Sequence, residues 1–415
     1  MGYVVLVNLG VAAVVLLVAR RRLERRRRVL VVGSINVDLY QRTKGGAVAF
    51  AGKPVDLTPI KGMTLPAASF VATPKVASQL SGDCKGKEEA LVLTMDGPFV
   101  QKTGGKGANA AAAAGQTFRC EFLGNMGQLS TEENVALARD LAHYGAVSVD
   151  RASTLAGQPT GTAYILLFED NDNAILLIGG ANQVWPPQTE LEAPGGPLHA
   201  ALQGAVCVML QREVPAYVNV STARLARGLG VPVFMDVGGT DAPLDEALMP
   251  HICVVAPNES ELTFISGVPT TDADGEVRKP LVRAAVAALR ARFAAAGNPA
   301  VEVLVTLGAK GSMHFGPEWT PEGGEASGAH ETRMGRFGLT TPDGRPKDTT
   351  GAGDCYRGSY VGMRYGEGRP IAEAMRWAAA AAACSVEVEG AMPSMPPCEQ
   401  IAARGAQTVV GLEDF

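Results

Sequence analysis

Short, continuously apolar runs alternate with amphipathic helical patterns along much of this chain. A run that is apolar on both faces is typical of a parallel strand covered by helices on either side. Repeated β-α units of this kind predict an α/β fold with a doubly wound, mostly parallel sheet flanked by helices. The apolar runs are Val29–Val32, Val206–Leu210, Val231–Met235, Ile252–Val255 and Val301–Leu307, and the helical patterns are Glu132–His143, Val218–Arg227, Lys279–Ala295 and Ile371–Cys384.

Polar residues follow several of these runs at their carboxyl ends. Asn36 and Asp38 come after the first run, Glu213, Asp236 and Asn258 come after later ones, and Thr306 lies at the end of the last. Ligands of open α/β sheets bind beyond the carboxyl ends of the strands, so we expect these side chains to meet at one edge. The polar groups of Asn36 and Asp38 are suited to binding sugar hydroxyls. The alternative is that they form an Asx turn at the strand end, which uses the same residue types.

Residues 347–359 contain a glycine turn with the features of an anion site. In Gly351-Ala352-Gly353 the largest side chain is a methyl group, so the backbone amides remain accessible. Apolar residues at helical spacing follow this turn. Successive N–H groups at a helix N-terminus attract an anion, and the helix dipole adds to the attraction. Asp354 would repel a phosphate there unless it takes a proton from a hydroxyl that attacks that phosphate. The alternative is an ordinary helix start in which Asp354 is the N-cap.

A second glycine turn, Gly104-Gly105-Lys106-Gly107-Ala108-Asn109, runs into Ala110–Ala114. The alanines predict a helix. Lys106 is not followed by Ser or Thr, and the upstream glycine of a Walker A loop is missing, so this is not a P-loop. Small residues let a ligand approach the backbone closely, and Lys106 and Asn109 offer donors to hydroxyl oxygens.

The chain between the first strand and this second turn lacks clear periodicity. Residues 39–103 contain short β-like pieces at Ala68–Val71 and Leu91–Thr94, which predict a small sheet outside the main core. Thr160–Phe168 and Ala174–Ile178 flank an Asp/Asn-rich turn and predict a hairpin.

Charge and cysteine content narrow the functional classes. The net charge is −5, but residues 1–28 hold seven Arg and one Glu, which leaves 30 basic and 41 acidic residues and a charge of −11 on the remainder. An acidic body argues against nucleic acid as a partner.

The seven cysteines are scattered and never spaced as Cys-x-x-Cys, as expected for reduced thiols in an intracellular protein. The five histidines lack an i, i+4 pair, which argues against a zinc site.

The N-terminus differs from the rest of the chain. Tyr3–Ala19 is apolar apart from Asn8 and Gly10, and about 17 residues is the lower limit for a bilayer span. The arginine-rich run 20–28 follows, an order that suits a signal-anchor and would leave the body in the cytoplasm, tethered to the membrane. A mis-predicted start or an organelle-targeting extension explains the same residues. We therefore expect a cytoplasmic domain at 29–415, with membrane contact through residues 3–28 as one alternative.

Both glycine turns belong to a set of six motifs. The motifs are Gly33-Ser-Ile-Asn-Val-Asp38, Gly104-Gly-Lys-Gly-Ala-Asn109, Pro257-Asn-Glu-Ser-Glu261, Thr306-Leu-Gly-Ala-Lys-Gly311, Asp348-Thr-Thr-Gly-Ala-Gly-Asp354 and Gly390-Ala-Met-Pro-Ser394. In this order they resemble the ribokinase-like (PfkB) carbohydrate kinases, from about Val29 to about Pro397. Each motif is weak alone, but six in family order form a specific signature.

The resemblance implies a doubly wound domain with a small β-sheet lid. The lid would come from parts of residues 39–103 and 160–178, and lids of two copies would pair to make a homodimer. Two stretches look like insertions into the family pattern, near residues 75–99 and at 316–345. The second is rich in Gly, Pro and Glu without periodicity, and we expect it to be a surface loop.

The resemblance also implies roles for individual residues. A sugar would be bound by Asn36, Asp38, Gly105, Lys106, Gly107, Ala108, Asn109 and Glu213, with Asp354 as base and Gly351, Ala352 and Gly353 as the anion hole. ATP would contact Asn258, Glu261, Thr306, Leu307, Gly308, Ala309, Lys310, Gly311, Gly353, Asp354 and Ala379, with Glu261 also in the Mg²⁺ and phosphate network. A monovalent cation, usually K⁺, would be bound beside the anion hole by Asp348, Thr350, Ser385, Val388, Gly390 and Ser394.

The activity implied by this resemblance is transfer of the γ-phosphate of ATP to the 5-hydroxyl of D-ribose. A loose phosphoryl-transfer transition state needs charge neutralisation and alignment, which Mg²⁺, the glycine-turn amides and one aspartate supply. Alternatives are a nucleoside or fructose kinase of the same family and a membrane-tethered, non-catalytic sugar or nucleotide sensor. Asp354 argues against the sensor, which would gain nothing from a carboxylate facing the γ-phosphate.

Overall fold

The computed structural model describes residues 27–42, 47–50, 53–56, 64–66, 100–127, 131–144, 147–149, 151–167, 173–240, 242–321 and 330–411. The predicted anchor at Tyr3–Ala19, the β-like pieces at Ala68–Val71 and Leu91–Thr94 and the insertion near 75–99 lie outside these ranges. Within them, no helix is both long enough and apolar enough to cross a membrane.

The secondary structure follows the predicted alternation, with element bounds that differ by at most two residues. In chain order the strands are β1 (Arg28–Val32), β2 (Asn36–Arg42), β3 (Ala47–Phe50), β4 (Lys53–Asp56), β5 (Thr64–Pro66), β6 (Val100–Gly104), β7 (Cys120–Leu123), β8 (Asn125–Gly127), β9 (Val147–Ser148), β10 (Ser153–Leu155), β11 (Gly161–Leu167), β12 (Asn173–Ile178), β13 (Ala205–Leu210), β14 (Val233–Asp236), β15 (Val254–Ala256), β16 (Glu302–Thr306), β17 (Ser312–Phe315), β18 (Glu331–Met334), β19 (Arg336–Phe337) and β20 (Val409–Val410). The helices are α1 (Lys106–Gly115), α2 (Thr131–His143), α3 (Gln188–Leu191), α4 (Pro197–Leu202), α5 (Ala216–Gly228), α6 (Glu259–Ser266), α7 (Lys279–Ala295), α8 (Ala352–Val361), α9 (Ile371–Ser385) and α10 (Cys398–Gly405).

A large sheet forms the centre of the fold, and its described strands lie in the order β18-β17-β16-β15-β14-β13-β1-β7-β9. Neighbours from β16 to β9 are parallel, while β16–β17 and β17–β18 are antiparallel. In β1, Val29 and Val31 belong to one core with α1, α8 and α9, whereas Leu30 and Val32 belong to a second core with α5, α6 and α7. Both faces are therefore covered, and the predicted doubly wound α/β fold is confirmed.

The polar residues predicted to lie at strand ends do meet at one edge of this sheet. Asp236 is the last residue of β14, Thr306 is the last residue of β16, and Asn258 lies just after β15. Glu213 and Asn36 follow β13 and β1 in the same way. All but Asp236 line one cavity, and Asp236 contacts Lys106 of that lining, because the carboxyl ends of parallel strands share one edge of the sheet.

A second, smaller sheet has the strand order β5-β12-β11-β2-β6. The chain enters it directly from β1 through residues 33–35. Strands β11 and β12 are antiparallel, with Thr162 opposite Ile178, so the predicted hairpin is confirmed. Tyr40, Ala163 and Ile165 form its small buried cluster. The predicted hairpin is thus joined to β2, β5 and β6 in one sheet, while β3 and β4, also within residues 39–103, form a separate two-stranded sheet.

Small residues bring α1 and α8 together. A Cβ atom at Gly358 of α8 would lie 2.4 Å from the carbonyl oxygen of Ala110 and 2.8 Å from the Cβ atom of Ala113. Ala110–Ala114 are all buried. Such close contact is possible only where side chains are absent or very short. The N-termini of the two helices, each of which begins at a glycine turn, therefore lie side by side.

Part of the stretch predicted to be a surface loop is a sheet edge instead. Strand β18 pairs with β17, with Met334 opposite Ser312, and β19 pairs with β20. The loop prediction for residues 316–345 is therefore wrong over 331–337. An edge strand is stabilised by backbone pairing with its neighbour, which requires no alternating apolar pattern in its own sequence.

Candidate active site

A cavity of about 760 Å³ lies between the carboxyl edge of the large sheet and the small sheet. This volume is in the usual range of small-molecule sites. Its lining includes most residues predicted for the sugar, the nucleotide and the anion hole: Asn36, Asp38, Gly105, Lys106, Asn109, Glu213, Asn258, Glu261, Thr306, Gly308, Ala309, Gly311, Gly351, Ala352, Gly353, Asp354 and Ala379. The two glycine turns, far apart in sequence, thus open into one cavity.

Asp354 lies in the first turn of α8 and is buried, with 4% of its surface exposed. Its Oδ1 accepts a hydrogen bond from Lys106 Nζ at 2.8 Å, and its Oδ2 accepts one from Asn109 Nδ2 at 3.0 Å. The N-cap of α8 is Gly351, which makes no side-chain capping bond. The alternative in which Asp354 is the N-cap is therefore excluded. Its carboxylate faces the second glycine turn.

The turn before Asp354 exposes backbone amides. Gly351 adopts a left-handed conformation with φ of +77°, and a Cβ atom there would lie 2.9 Å from the Cβ atom of Ala391. Glycine alone satisfies both conditions without strain. The Cys355 N–H donates to the Gly351 carbonyl, which closes the first turn. The N–H groups of Gly353 and Asp354 precede that bond, so no helical carbonyl accepts them and they can bind an anion.

A chain of alternating charges continues from Asp354. Lys106 Nζ lies 3.2 Å from Asp236 Oδ2, and the same oxygen accepts a hydrogen bond from Arg357 Nη1 at 3.1 Å. Arg357 Nη2 lies 3.1 Å from Glu261 Oε2. Burial alone would raise the pKa of Asp236, but Arg357 and Lys106 outweigh burial and lower it. Burial alone would lower the pKa of Lys106, but Asp236 and Asp354 outweigh it and raise it. Both groups are therefore charged at neutral pH.

Asn36 and Glu213 are oriented by neighbours. Asn36 Oδ1 accepts a hydrogen bond from Asn182 Nδ2 at 2.7 Å. Glu213 Oε2 accepts one from Ser34 Oγ at 2.5 Å and one from the Lys106 N–H at 3.0 Å. The second bond satisfies a free amide at the start of α1. Burial raises the pKa of Glu213 despite these donors.

Asp38 is the least satisfied carboxylate of the cavity. It is 3% exposed, and its Oδ1 has no hydrogen-bond partner among the described residues. Gly104 makes room for it, because a Cβ atom at that position would overlap Asp38 Oδ2. Burial raises the pKa of Asp38 well above its ordinary value, and the nearby Glu213 and Asp354 raise it further. An acceptor in this state is suited to hydroxyl donors from a ligand.

A family model described as pfkB family carbohydrate kinase matches residues 76–398, which is most of the chain. The chain belongs to this family. A ribokinase from Arabidopsis thaliana is 32% identical over 298 residues, covering 71% of this chain and 69% of that protein. A deoxyribokinase from Salmonella typhi is 26% identical over 309 residues, covering 74% of this chain and 89% of that protein.

The solved structure of Arabidopsis thaliana ribokinase complexed with ribose and ATP superposes with a TM-score of 0.66 at 28% identity. The superposition covers 92% of this chain and 99% of that chain. The family match and these relatives confirm the predicted ribokinase-like fold and the predicted enzyme class, an ATP-dependent carbohydrate kinase.

In this pfkB kinase, the predicted nucleotide motif at 257–261 begins a helix. Asn258 Oδ1 accepts from the Glu261 N–H at 2.7 Å, and Glu261 Oε2 accepts from the Asn258 N–H at 2.8 Å, which is a capping box. The side chains of two predicted nucleotide residues do not line the cavity. Leu307 is in the core, and Lys310 Nζ donates to Glu276 at 2.9 Å.

Two predicted sugar residues also lie behind the cavity wall rather than in its lining. Ala108 is fully buried in the core. Gly107 packs against the backbone of Ser34, where a Cβ atom would lie 2.6 Å from the Ser34 nitrogen. Both residues therefore shape the turn and do not present a side chain to a ligand.

The residues predicted to bind K⁺ lie on three connected segments beside the glycine turn. Asp348 is buried, and its two oxygens accept hydrogen bonds from the N–H groups of Thr350 at 2.9 Å and Gly390 at 2.8 Å. The backbone at residues 347–348 donates to the Val386 carbonyl, next to Ser385, and the Val388 N–H donates to the Ser385 carbonyl. Ser394 Oγ donates to the Ala391 carbonyl at 2.7 Å. Hydrogen bonds thus connect the three segments that hold these six residues.

Three site residues were not assigned a role from sequence. Asp236 was predicted only to be a polar residue at a strand end, although that position by itself indicates a site residue in an α/β sheet. Arg357 follows Asp354 by three residues and so shares its helix face, which could have been noticed. Asn182, which orients Asn36, lies in a short turn after β12 and carries no sequence signal.

Proposed function

We propose that this pfkB kinase transfers the γ-phosphate of ATP to the 5-hydroxyl of D-ribose. One observation is the main support for the proposal. A buried carboxylate, Asp354, lies between an amide-lined glycine turn and a set of sugar-type acceptors that includes Asp38 and Glu213. The ribose and ATP named for the Arabidopsis thaliana structure, and the ribokinase relatives, support this choice of substrates.

Asp354 acts as the general base in this proposal. The 5-oxygen forms a bond to the γ-phosphorus, the bond from that phosphorus to the β–γ bridging oxygen breaks to leave ADP, and the hydroxyl proton goes to Asp354. Lys106 and Asn109 fix the orientation of the carboxylate at 2.8 Å and 3.0 Å. The N–H groups of Gly353 and Asp354 stabilise the charge on the transferred group.

The donor set of the cavity fits a Mg²⁺ ion that arrives with the nucleotide. The described residues contain no group of three or more His, Cys, Asp or Glu side chains arranged to hold a metal. Mg²⁺ commonly takes one or two protein carboxylates and completes its shell with phosphate and water oxygens. Glu261, which lines the cavity, would supply such a carboxylate, and the ion would neutralise phosphate charge.

Asp348, Thr350, Ser385, Val388, Gly390 and Ser394 fit a monovalent cation site in chemical type. They offer one buried carboxylate, hydroxyls and backbone carbonyls, which are the oxygen ligands that such ions use. A cation there would stabilise the loop that ends in Gly351, because Asp348 of that loop accepts a hydrogen bond from the Gly390 N–H and Gly351 packs against Ala391. Its effect on the anion site would therefore be indirect.

A panel of acceptors tests the proposed function. The full chain is assayed for ADP release with D-ribose, 2-deoxy-D-ribose, D-fructose and adenosine, at equal concentrations with ATP and Mg²⁺. We expect the highest kcat/KM for D-ribose, and the product is identified as the 5-phosphate by phosphorus NMR. A higher value for another acceptor would replace ribose with that substrate. Tight binding of ribose or ATP without turnover would instead favour the sensor.

A further inference from the structure

Arg357 lies against the amide-lined glycine turn. Its Nη1 is only 3.0 Å from the position that a Cβ atom on Gly353 would occupy. Gly353 and Arg357 are four residues apart on α8, so the guanidinium folds back over the first turn of its own helix. The residue is 2% exposed and lines the cavity. A permanent cation is therefore built into the wall of the anion site.

Without a bound anion, a guanidinium at this end of α8 is electrostatically unfavourable. The N-terminus of a helix carries a partial positive charge, so a cation there is repelled and an anion is attracted. Asp236 and Glu261 offset the repulsion through hydrogen bonds of 3.1 Å each. An arginine in such a place becomes favourable when a phosphate occupies the turn, because helix and guanidinium then both face negative charge.

The hydrogen-bonding capacity of Arg357 is only partly used. A guanidinium has five N–H donors in a rigid fork. One bond from each terminal nitrogen goes to protein, and Nε has no partner among the described residues. Buried donors without partners are rare and need an explanation. A bound phosphate offers several acceptor oxygens that match this fork.

We propose that Arg357 is a phosphate-binding residue, whose guanidinium donates to the transferred phosphoryl group at the Gly351–Gly353 turn. The proposal rests on the phosphotransfer proposed above. Because Lys106 and Arg357 share one oxygen of Asp236, the phosphoryl group enters between two fixed cations. Arg357 thereby adds positive charge that neither the amides nor the nucleotide-borne ion supplies.

Nucleotide binding tests this role without any sugar. Calorimetry with Mg²⁺ gives the affinities of the full chain for AMP-PNP, which carries a third phosphate, and for ADP, which does not. In Arg357→Gln we expect AMP-PNP binding to weaken roughly tenfold or more while ADP binding changes less than about twofold. In turnover assays kcat falls roughly 10²- to 10³-fold, the usual cost of one such donor, with little change in the KM of the sugar.

Arg357→Lys guards against a folding defect. The lysine keeps a positive charge for Asp236 and Glu261 but loses the planar fork, so we expect a folded protein with an intermediate loss of AMP-PNP affinity and kcat. Arg290→Lys is the matched control. Its guanidinium also makes several hydrogen bonds, to backbone carbonyls that include those of Gly316 and Trp319, but it does not line the cavity.

The outcomes separate cleanly. An unchanged ratio of AMP-PNP to ADP affinity in both Arg357 variants, with kcat within about threefold of the parent, overturns the proposal. Equal weakening of both nucleotides also overturns it, because this is the signature of a disturbed Asp236–Glu261 pair alone. If no sugar is phosphorylated by the parent chain, the proposed function fails, while the affinity ratio still reports on Arg357.

Discussion

The two sides of the cavity differ in how their carboxylates are satisfied. On the side of the glycine turn before α8, Asp236 and Asp354 each contact a cation, and Lys106 contacts both. On the side of the small sheet, Asp38 has a carboxylate oxygen with no hydrogen-bond partner in the part of the chain that the structure describes, and burial raises its pKa. One side thus holds ion pairs in place, and the other holds desolvated acceptors.

This difference matches the chemistry of the two proposed ligands. Phosphates bring negative charge, so cations that are already in position need no rearrangement when the charge is transferred. A sugar is neutral and brings hydroxyl donors, so an acceptor without a partner gains a hydrogen bond on binding. In the unliganded protein, this buried acceptor lowers the free energy of unfolding. Each side should therefore respond differently to loss of one charge.

Loss of the Asp354 charge should have the largest effect. Asp354→Asn keeps the shape of the side chain but cannot accept a hydroxyl proton, so we expect kcat to fall roughly 10²- to 10⁴-fold with sugar and nucleotide binding retained. Steady-state kinetics and calorimetry measure the two properties separately. Turnover within about threefold of the parent chain would remove Asp354 from the role of base.

Loss of the Asp38 charge should act on sugar binding. Asp38→Asn removes a charged acceptor, and we expect the KM for the sugar to rise roughly 10- to 100-fold while the affinity for ADP stays the same. The same assays of Asp140→Asn provide the control, because Asp140 bonds Thr103 at 2.9 Å and does not line the cavity. A rise in the ADP dissociation constant as large as that in KM would mean that the two sides are not independent.

Comparing turnover in potassium and in sodium tests whether the nucleotide side needs a bound cation in addition to Lys106 and Arg357. We expect roughly fivefold higher turnover in potassium than in sodium at matched ionic strength, the size of a modest coupling between two sites. Asp348→Asn should remove the preference. Equal rates in both salts would count against a cation site at Asp348. Lys106 and Arg357 would then supply the positive charge near the nucleotide without a bound monovalent cation.

Protein stability should show the smallest effect, in a direction that distinguishes the two sides. The folded-state pKa of Asp38 lies above its ordinary value of 3.8, so the folded protein binds more protons in that interval and loses stability as pH rises through it. Asp38→Asn removes this loss. We expect the variant to gain about 1 kcal/mol of unfolding free energy above that interval, measured by denaturant unfolding at several pH values.

Asp272 provides a control of opposite sign for that measurement. A hydrogen bond from Arg278 lowers its pKa, so its stabilising effect is present above its ordinary pKa and is lost as pH falls. Asp272→Asn should therefore reduce stability at neutral pH. A gain in both variants would indicate a general charge effect on the acidic body and not a property of the cavity.

The amino-acid sequence determined the features that are local in the chain. Runs apolar on both faces, such as Val29–Val32, indicated parallel strands because each strand is covered on two sides. The turns at Gly105 and Gly351 were recognisable because their backbone conformations, with φ of +91° and +77°, favour glycine. The hypothesis that Asp354 is the base followed from its position after such a turn. Strand β18 was missed because pairing at an edge leaves no local pattern.

Only the tertiary structure decided which charges meet. Lys106 and Asp354 are 248 residues apart, and Asp236 and Arg357 are 121 residues apart. Their contacts depend on the close packing of α1 against α8 and on the alignment of strand ends, which no single segment encodes. The sequence therefore points to Asp354 and to both glycine turns. The paired cations and the desolvated Asp38 emerge only when distant segments share one buried site, where distance and desolvation set the energy of every charge.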